Sequence, residues 1–103
     1  ALAFSQAITQ QHGGVHAGVL SMIADSACGY AAGTLLSAES EIVSVEYKVN
    51  FLAPPVGESF LAVGRVVKAG RTLFVCSAQV FAQEGDSRKT VLLMQSTMMA
   101  VAR

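Results

Sequence analysis

The chain has 103 residues, 52% hydrophobic and 14% charged, with seven basic residues against seven acidic ones. That length suits one domain, residues 1–103, and is too short for two, while the charge balance excludes non-specific nucleic-acid binding through a broad basic surface. So apolar a chain exceeds what a small domain buries alone, which predicts a homo-oligomer with a substantial apolar interface.

In chain order, Ala1 to Thr9 reads as a short first strand with Phe4 and Ile8 on one face. The sequence begins with Ala rather than Met, which predicts a missing or trimmed start, and no basic segment ahead of a short apolar run marks a signal peptide. Gln10 to Val15 is a loop in which Gly13-Gly14 permits backbone conformations closed to other residues. A long, almost wholly apolar helix then runs from Ala17 or Gly18 to about Leu36. Gly29 and Gly33 weaken it by up to ~1 kcal/mol each relative to Ala, and their spacing predicts close approach of another backbone. The segment is about as long as a bilayer span, but Asp25, Ser21, Ser26, Thr34 and many small residues oppose insertion. An acid near its centre alone costs roughly 2.5–3.5 kcal/mol on insertion scales. The expectation is a buried helix and no membrane.

After the polar connection Ser37 to Glu41, the stretch Glu41 to Ala53 alternates. Val43, Val45, Tyr47, Val49 and Phe51 fall on one face, and Ser44, Glu46, Lys48 and Asn50 on a wetter one. Pro54-Pro55-Val56-Gly57 ends that strand. Further strands follow at Ser59 to Lys68, Thr72 to Gln83 and Lys89 to Ala102, joined by Ala69-Gly70-Arg71 and Glu84-Gly85-Asp86-Ser87. Consecutive strands with tight turns predict an antiparallel meander, and with one helix an α+β domain. Cys28 and Cys76 fit neither a disulfide scaffold nor a zinc site and read as small core residues in a reducing, cytoplasmic setting.

Asp25 is the first candidate for chemistry. It is the only charged side chain before Glu39, in a helix with no polar face to receive it. A solvated or hydrogen-bonded structural acid is the plain alternative, but a desolvated carboxyl would be raised toward the range of a general base. The helix N-terminus at Ala17 and Gly18 can place backbone N–H groups and the positive end of the dipole against a developing oxyanion, or simply against water. His16 adjoins those donors, and His12 reads as a loop residue near solvent. With Asp25 they lack a fourth metal ligand at sensible spacing. No nucleophile elbow and no phosphate-binding glycine motif occurs. Taken alone, Ser44 is an ordinary strand serine, and Arg71-Thr72 an ordinary turn whose Arg could reach a phosphate.

Three segments carry a family likeness: His16-Ala17-Gly18-Val19-Leu20 with Ala24-Asp25-Ser26-Ala27 and Gly29-Tyr30-Ala31-Ala32; Ser44-Val45-Glu46-Tyr47 through Phe51-Leu52-Ala53-Pro54 to Gly57-Glu58; and Val67 through Leu73. From Gln10 to Arg103 the chain resembles the hotdog-fold acyl-CoA thioesterases of the phenylacetate-pathway (PaaI-like) group, within the 4-hydroxybenzoyl-CoA thioesterase superfamily. The family pattern is a Gln or Asn, a short glycine loop, His-Gly-Gly, and an acid nine residues after that His, matched here by Gln10, His16 and Asp25. Ala17 replaces the first Gly, which a backbone donor tolerates, and the segment before Gln10 is short.

The resemblance implies a hotdog fold, one long buried helix wrapped by a curved antiparallel sheet, with two subunits joined edge to edge and often a dimer of dimers. It implies sites at the dimer interface and a small-molecule acyl-CoA substrate, with no metal or redox cofactor. Asp25 would activate water or attack the thioester; the Ala17 N–H would polarise the carbonyl; Gln10 and His16 would orient carbonyl or water; Ser44 would come from the partner subunit. Gly18, Val45, Gly70, Arg71, Thr72 and Leu73 match segments that contact substrate or lie along CoA. The leading expectation is hydrolysis of an aryl- or medium-chain acyl-CoA, with Met22, Tyr30, Phe51 or Phe74 near the acyl group. A non-catalytic acyl-CoA-binding module is the alternative, since fold alone does not fix chemistry. Hydration of an enoyl thioester by His16 and Asp25 is a more distant one.

Overall fold

The computed structural model describes residues 6–10 and 17–103. Its elements run β1 (Gln6–Gln10), α1 (Ala17–Gly33), β2 (Ser40–Phe51), β3 (Ser59–Ala69), β4 (Leu73–Glu84) and β5 (Ser87–Ala102). The strands form one antiparallel sheet in the order β1-β3-β4-β5-β2, with α1 packed on one face. This is the α+β hotdog architecture expected from the sequence. The predicted four-strand meander holds only for β3-β4-β5, because β2 crosses to the far edge and pairs with β5. The connection after β2 contains Pro54-Pro55 and is no hairpin turn. It is tied across the sheet end instead, Leu52 donating its N–H to the Val91 carbonyl and Glu58 to that of Gln83, each at 2.9 Å.

The two hairpins are set by local chemistry. In β4–β5 the loop is Gly85-Asp86 between paired Glu84 and Ser87. Gly85 has φ 59° and Asp86 does not share that sign, the pattern of a type II′ turn with Gly at its first central position. The Gly85 N–H also donates to Glu58 Oε1 at 2.6 Å, which clamps this turn to the β2–β3 connection. In β3–β4 the Gly70 N–H donates to the Leu73 carbonyl at 2.8 Å.

Helix α1 ends at Gly33, three residues before the expected Leu36. Leu35 and Leu36 continue as a tightened turn, donating to the carbonyls of Ala32 and Gly33. Its sheet-facing side is small: Ala24, Ala27, Cys28, Ala31 and Ala32 are all buried, against Ala62, Cys76, Ala78 and Ala82. Small residues on both sides let helix and sheet come close. The closest approach is at Gly64 of β3, where a Cβ would overlap the Ala27 carbonyl and lie 2.8 Å from the Cys28 nitrogen. The helix glycines do not have the role expected of them: a Cβ on Gly29 would reach only Ile42 Cγ2 at 4.0 Å, and one on Gly33 nothing within 4 Å. Opposite the sheet, Met22, Ser26 and Tyr30 form an exposed stripe at four-residue spacing, so among the described residues the helix is covered on one side only.

Three bulges curve the sheet around α1, with Val45, Val67 and Val91 as the extra residues. The one at Val45 reverses the expected phase of β2. Before it Ile42 and Ser44 lie on the helix side, opposite Ala100 and Met98; after it Tyr47, Val49 and Phe51 do, opposite Ser96, Met94 and Leu92. A single alternation over the whole strand placed Val43 and Val45 inside and Ser44 outside. The extra residue moves Ser44 to the helix.

Among the described residues no helix is long and apolar enough to cross a membrane. Cys28 and Cys76 are buried free thiols, as expected.

Candidate active site

Asp25 lies along the border of α1 that faces β2, half-buried between the sheet-facing Ala24 and the exposed Ser26. The Ser44 hydroxyl donates to its Oδ1 at 2.9 Å. Both residues belong to the same chain, so the expectation that Ser44 arrives from a partner subunit is corrected. The cause is the Val45 bulge, which aims Ser44 at its own helix. Ser44 Oγ also lies 3.5 Å from the sulfur of Met98, the buried residue directly opposite it on β5. The carboxylate is therefore held by one oxygen from the strand side.

Next along the helix, burial pushes the Cys28 thiol up; the Ser96 hydroxyl lowers it somewhat and the charge of Asp25 raises it further. Cys76 is pushed up to about 11, by burial first and then by Cys28. Neither therefore offers a thiolate at neutral pH. Ser96 is buried on β5 between Cys76 and Tyr47 in register, and among the described residues its Oγ has no hydrogen-bond partner. Cys28 is close enough to feel the hydroxyl without meeting the geometry of a full bond. Among the described residues no three of His, Cys, Asp and Glu cluster as metal ligands would.

Of the other expected site residues, Ala17 and Gly18 open α1, at the positive end of its dipole. They stand about two turns before Asp25, roughly 12 Å along the axis. Gln10 closes β1 opposite Phe60 of β3, and is thus a strand residue and not the start of a loop. His16 and His12 lie outside the described residues, as does Phe4. Val45 is the exposed bulge residue itself. Gly70, Arg71 and Thr72 form the exposed β3–β4 turn, and Leu73 starts β4. The register Phe74–Met98–Ser44 runs across β4, β5 and β2. It puts that turn at the same end of the sheet as Ser44, with Phe74 beside the turn about 10 Å from Ser44 by strand spacing.

Phe74 is core; Met22, Tyr30 and Phe51 are exposed. A groove of about 430 Å³ between Lys48, Asn50, Arg65 and Gln79 lies on the sheet face away from α1, and so away from Asp25.

Sequence reasoning missed Met98 and Ser96. The signal was present: in Met94-Gln95-Ser96-Thr97-Met98 a period of two puts residues 94, 96 and 98 on one face, and that face is buried.

The thioesterase superfamily matches the chain over residues 12–89. A thioesterase family protein from Silicibacter pomeroyi is 38% identical, with a TM-score of 0.92 over 100% of this chain and 82% of its own. A Bacillus halodurans protein solved with CoA has a TM-score of 0.78 at 23% identity, covering 84% of this chain, which spans 56% of the longer protein. A Haemophilus influenzae thioesterase has a TM-score of 0.78 at 20% identity over 90% of this chain and 63% of its own. No curated protein matches. The match over residues 12–89 and 38% identity to a thioesterase family protein across the whole chain assign the chain to the thioesterase superfamily, as a hydrolase of thioester bonds.

Proposed function

We propose that the protein hydrolyses acyl-CoA thioesters, with an aryl or medium-chain acyl group, in the manner of the PaaI-like group, and that Asp25 is its general base. The observation that carries this is the Ser44–Asp25 hydrogen bond. By occupying Oδ1 it fixes the carboxylate and leaves Oδ2 for water. Asp25 takes a proton from that water as its oxygen attacks the thioester carbon. The carbonyl oxygen becomes an oxyanion, stabilised by the Ala17 N–H and the helix dipole. The C–S bond then breaks, and the thiolate leaves as CoA with the proton returned from Asp25. Direct attack by Asp25, through an anhydride that water then opens, uses the same residues. The scheme needs no metal or resident cofactor.

Within one chain, Ala17 and Asp25 are separated by more than one water and one carbonyl bridge. The site is therefore assigned to two subunits: Ala17, Gln10 and His16 from one, Asp25 with Ser44 from the other. The free edge of β2 supports this assembly. It is twelve residues long, with Val45, Tyr47 and Phe51 each about half exposed, and an unpaired apolar edge is a ready template for a second copy. The β3–β4 turn suits the CoA moiety, with the Arg71 guanidinium available for a phosphate and Thr72 and Leu73 beside it. The relative solved with CoA supports that substrate class. Two buried free thiols support a reducing, cytoplasmic location.

The test is thiol release from a panel of acyl- and aryl-CoA esters by wild type and Asp25→Asn. A loss of about 10³-fold in kcat in a folded variant is expected, the scale of losing a general base. Full activity in that variant would reject the role.

A further inference from the structure

We propose that Met98 is a positioning residue for the thioesterase reaction, acting on Asp25 through Ser44; the inference rests on the general-base reading above. The Ser44 hydroxyl has one proton and faces two acceptors: Asp25 Oδ1 at 2.9 Å and Met98 Sδ at 3.5 Å. In the resting site the carboxylate is the stronger acceptor, and the proton points to it. When Asp25 takes the proton of the attacking water, its charge is gone and that bond loses its ionic character. The proton arrives on Oδ2, the oxygen that faces water, and Oδ1, now the carbonyl oxygen of a neutral acid, holds the Ser44 proton less tightly, so the hydroxyl is free to turn.

Met98 is the acceptor within the fold to which it can turn. The sulfur is a weak acceptor, buried and fixed opposite Ser44 by the β2–β5 register. Three features place it there. The Val45 bulge points Ser44 inward, the period of β5 points Met98 to the same face, and pairing sets them side by side. A hydrocarbon in the same place would leave the turned hydroxyl with no acceptor on that side. The protonated state of Asp25 would then form less readily, and the step that creates it would slow. The sulfur is thus given a role beyond filling volume, although an aliphatic residue of similar size would satisfy the core.

The experiment is a double-mutant cycle on thiol release: wild type, Met98→Leu, Ser44→Ala and the double variant, with kcat and KM measured separately. Met98→Leu is expected to lower kcat about two- to fivefold with KM unchanged where Ser44 is present, and to have no further effect in the Ser44→Ala chain. An equal loss in both backgrounds, a change in KM alone, or no change would overturn the inference. If Met98→Leu does not fold, global replacement of methionine by norleucine, which puts CH₂ in place of sulfur, repeats the comparison in the two Ser44 backgrounds. Wild-type kcat in Asp25→Asn would instead mark failure of the general-base reading, so the two failures are distinguishable.

Discussion

Ser44 and Asp25 are 19 residues apart in the chain and joined by a 2.9 Å hydrogen bond between β2 and α1. In the proposed mechanism that bond fixes which carboxylate oxygen faces the attacking water. Without it the carboxylate rotates freely, and the fraction of attack-ready geometry falls. Ser44→Ala should lower kcat about tenfold and change KM little, as removal of one hydrogen bond to a charged group does at a partly exposed site. Ser44 is exposed, so the unfolding midpoint should barely move. Steady-state thiol release and a denaturant melt on the same sample check both.

What the sequence revealed and what it hid follow from the range of the physics involved. Asp25 stood out because a lone charge in an apolar helix is a local anomaly, visible without a fold. The strands and turns were legible for the same reason, since alternation and Gly85-Asp86 are local signals. The position of Ser44 was not. It depends on one extra residue at Val45, and a bulge is defined by the partner strand, which a single-strand pattern does not contain. Met98 and Ser96 were hidden in a strand whose period was readable but whose neighbours were not. The far-edge placement of β2 is likewise a property of pairing and not of any one segment.

Glycine gives a sharper case. Gly29 and Gly33 invited a close-packing role because they sit in a helix at i, i+4, yet the contact belongs to Gly64. Gly64→Ala would drive a methyl into the backbone of α1 at Ala27 and Cys28, which no side-chain rotation relieves. A loss of about 3 kcal/mol is expected. Gly29→Ala meets only ordinary contact at Ile42 and gains helix propensity, so it should stabilise by roughly 0.5–1 kcal/mol. Opposite shifts in the urea midpoint confirm the assignment, and equal shifts refute it.

The proposed division of the site between two subunits predicts complementation. Asp25→Asn and His16→Ala homo-oligomers should each be nearly inactive. In a mixed dimer one of the two sites draws His16 from the first chain and Asp25 from the second, and is intact. Random re-association of equal amounts makes half the dimers mixed, so activity should return to about a quarter of wild type by this counting for a twofold dimer. A site built within one chain gives no recovery.

The buried thiols predict an alkaline loss of stability. Cys76 is pushed up to about 11 in the fold, from 9.0 as an unperturbed thiol, mainly by burial. Below pH 9 both folded and unfolded chains carry the proton, and the group has no effect on the slope. Between 9 and 11 the unfolded chain releases the proton while the folded one keeps it, so the unfolded state binds fewer protons and stability falls as pH rises. At pH 10 the share of Cys76 is about 1 kcal/mol, and above 11 the loss levels off. Cys28 is raised as well and adds in the same direction. Cys76→Ala should begin less stable by about 1 kcal/mol from lost packing, yet lose less between pH 8 and 10.5 than wild type does. Parallel pH curves for the two proteins would show that the Cys76 thiol is not desolvated in the fold.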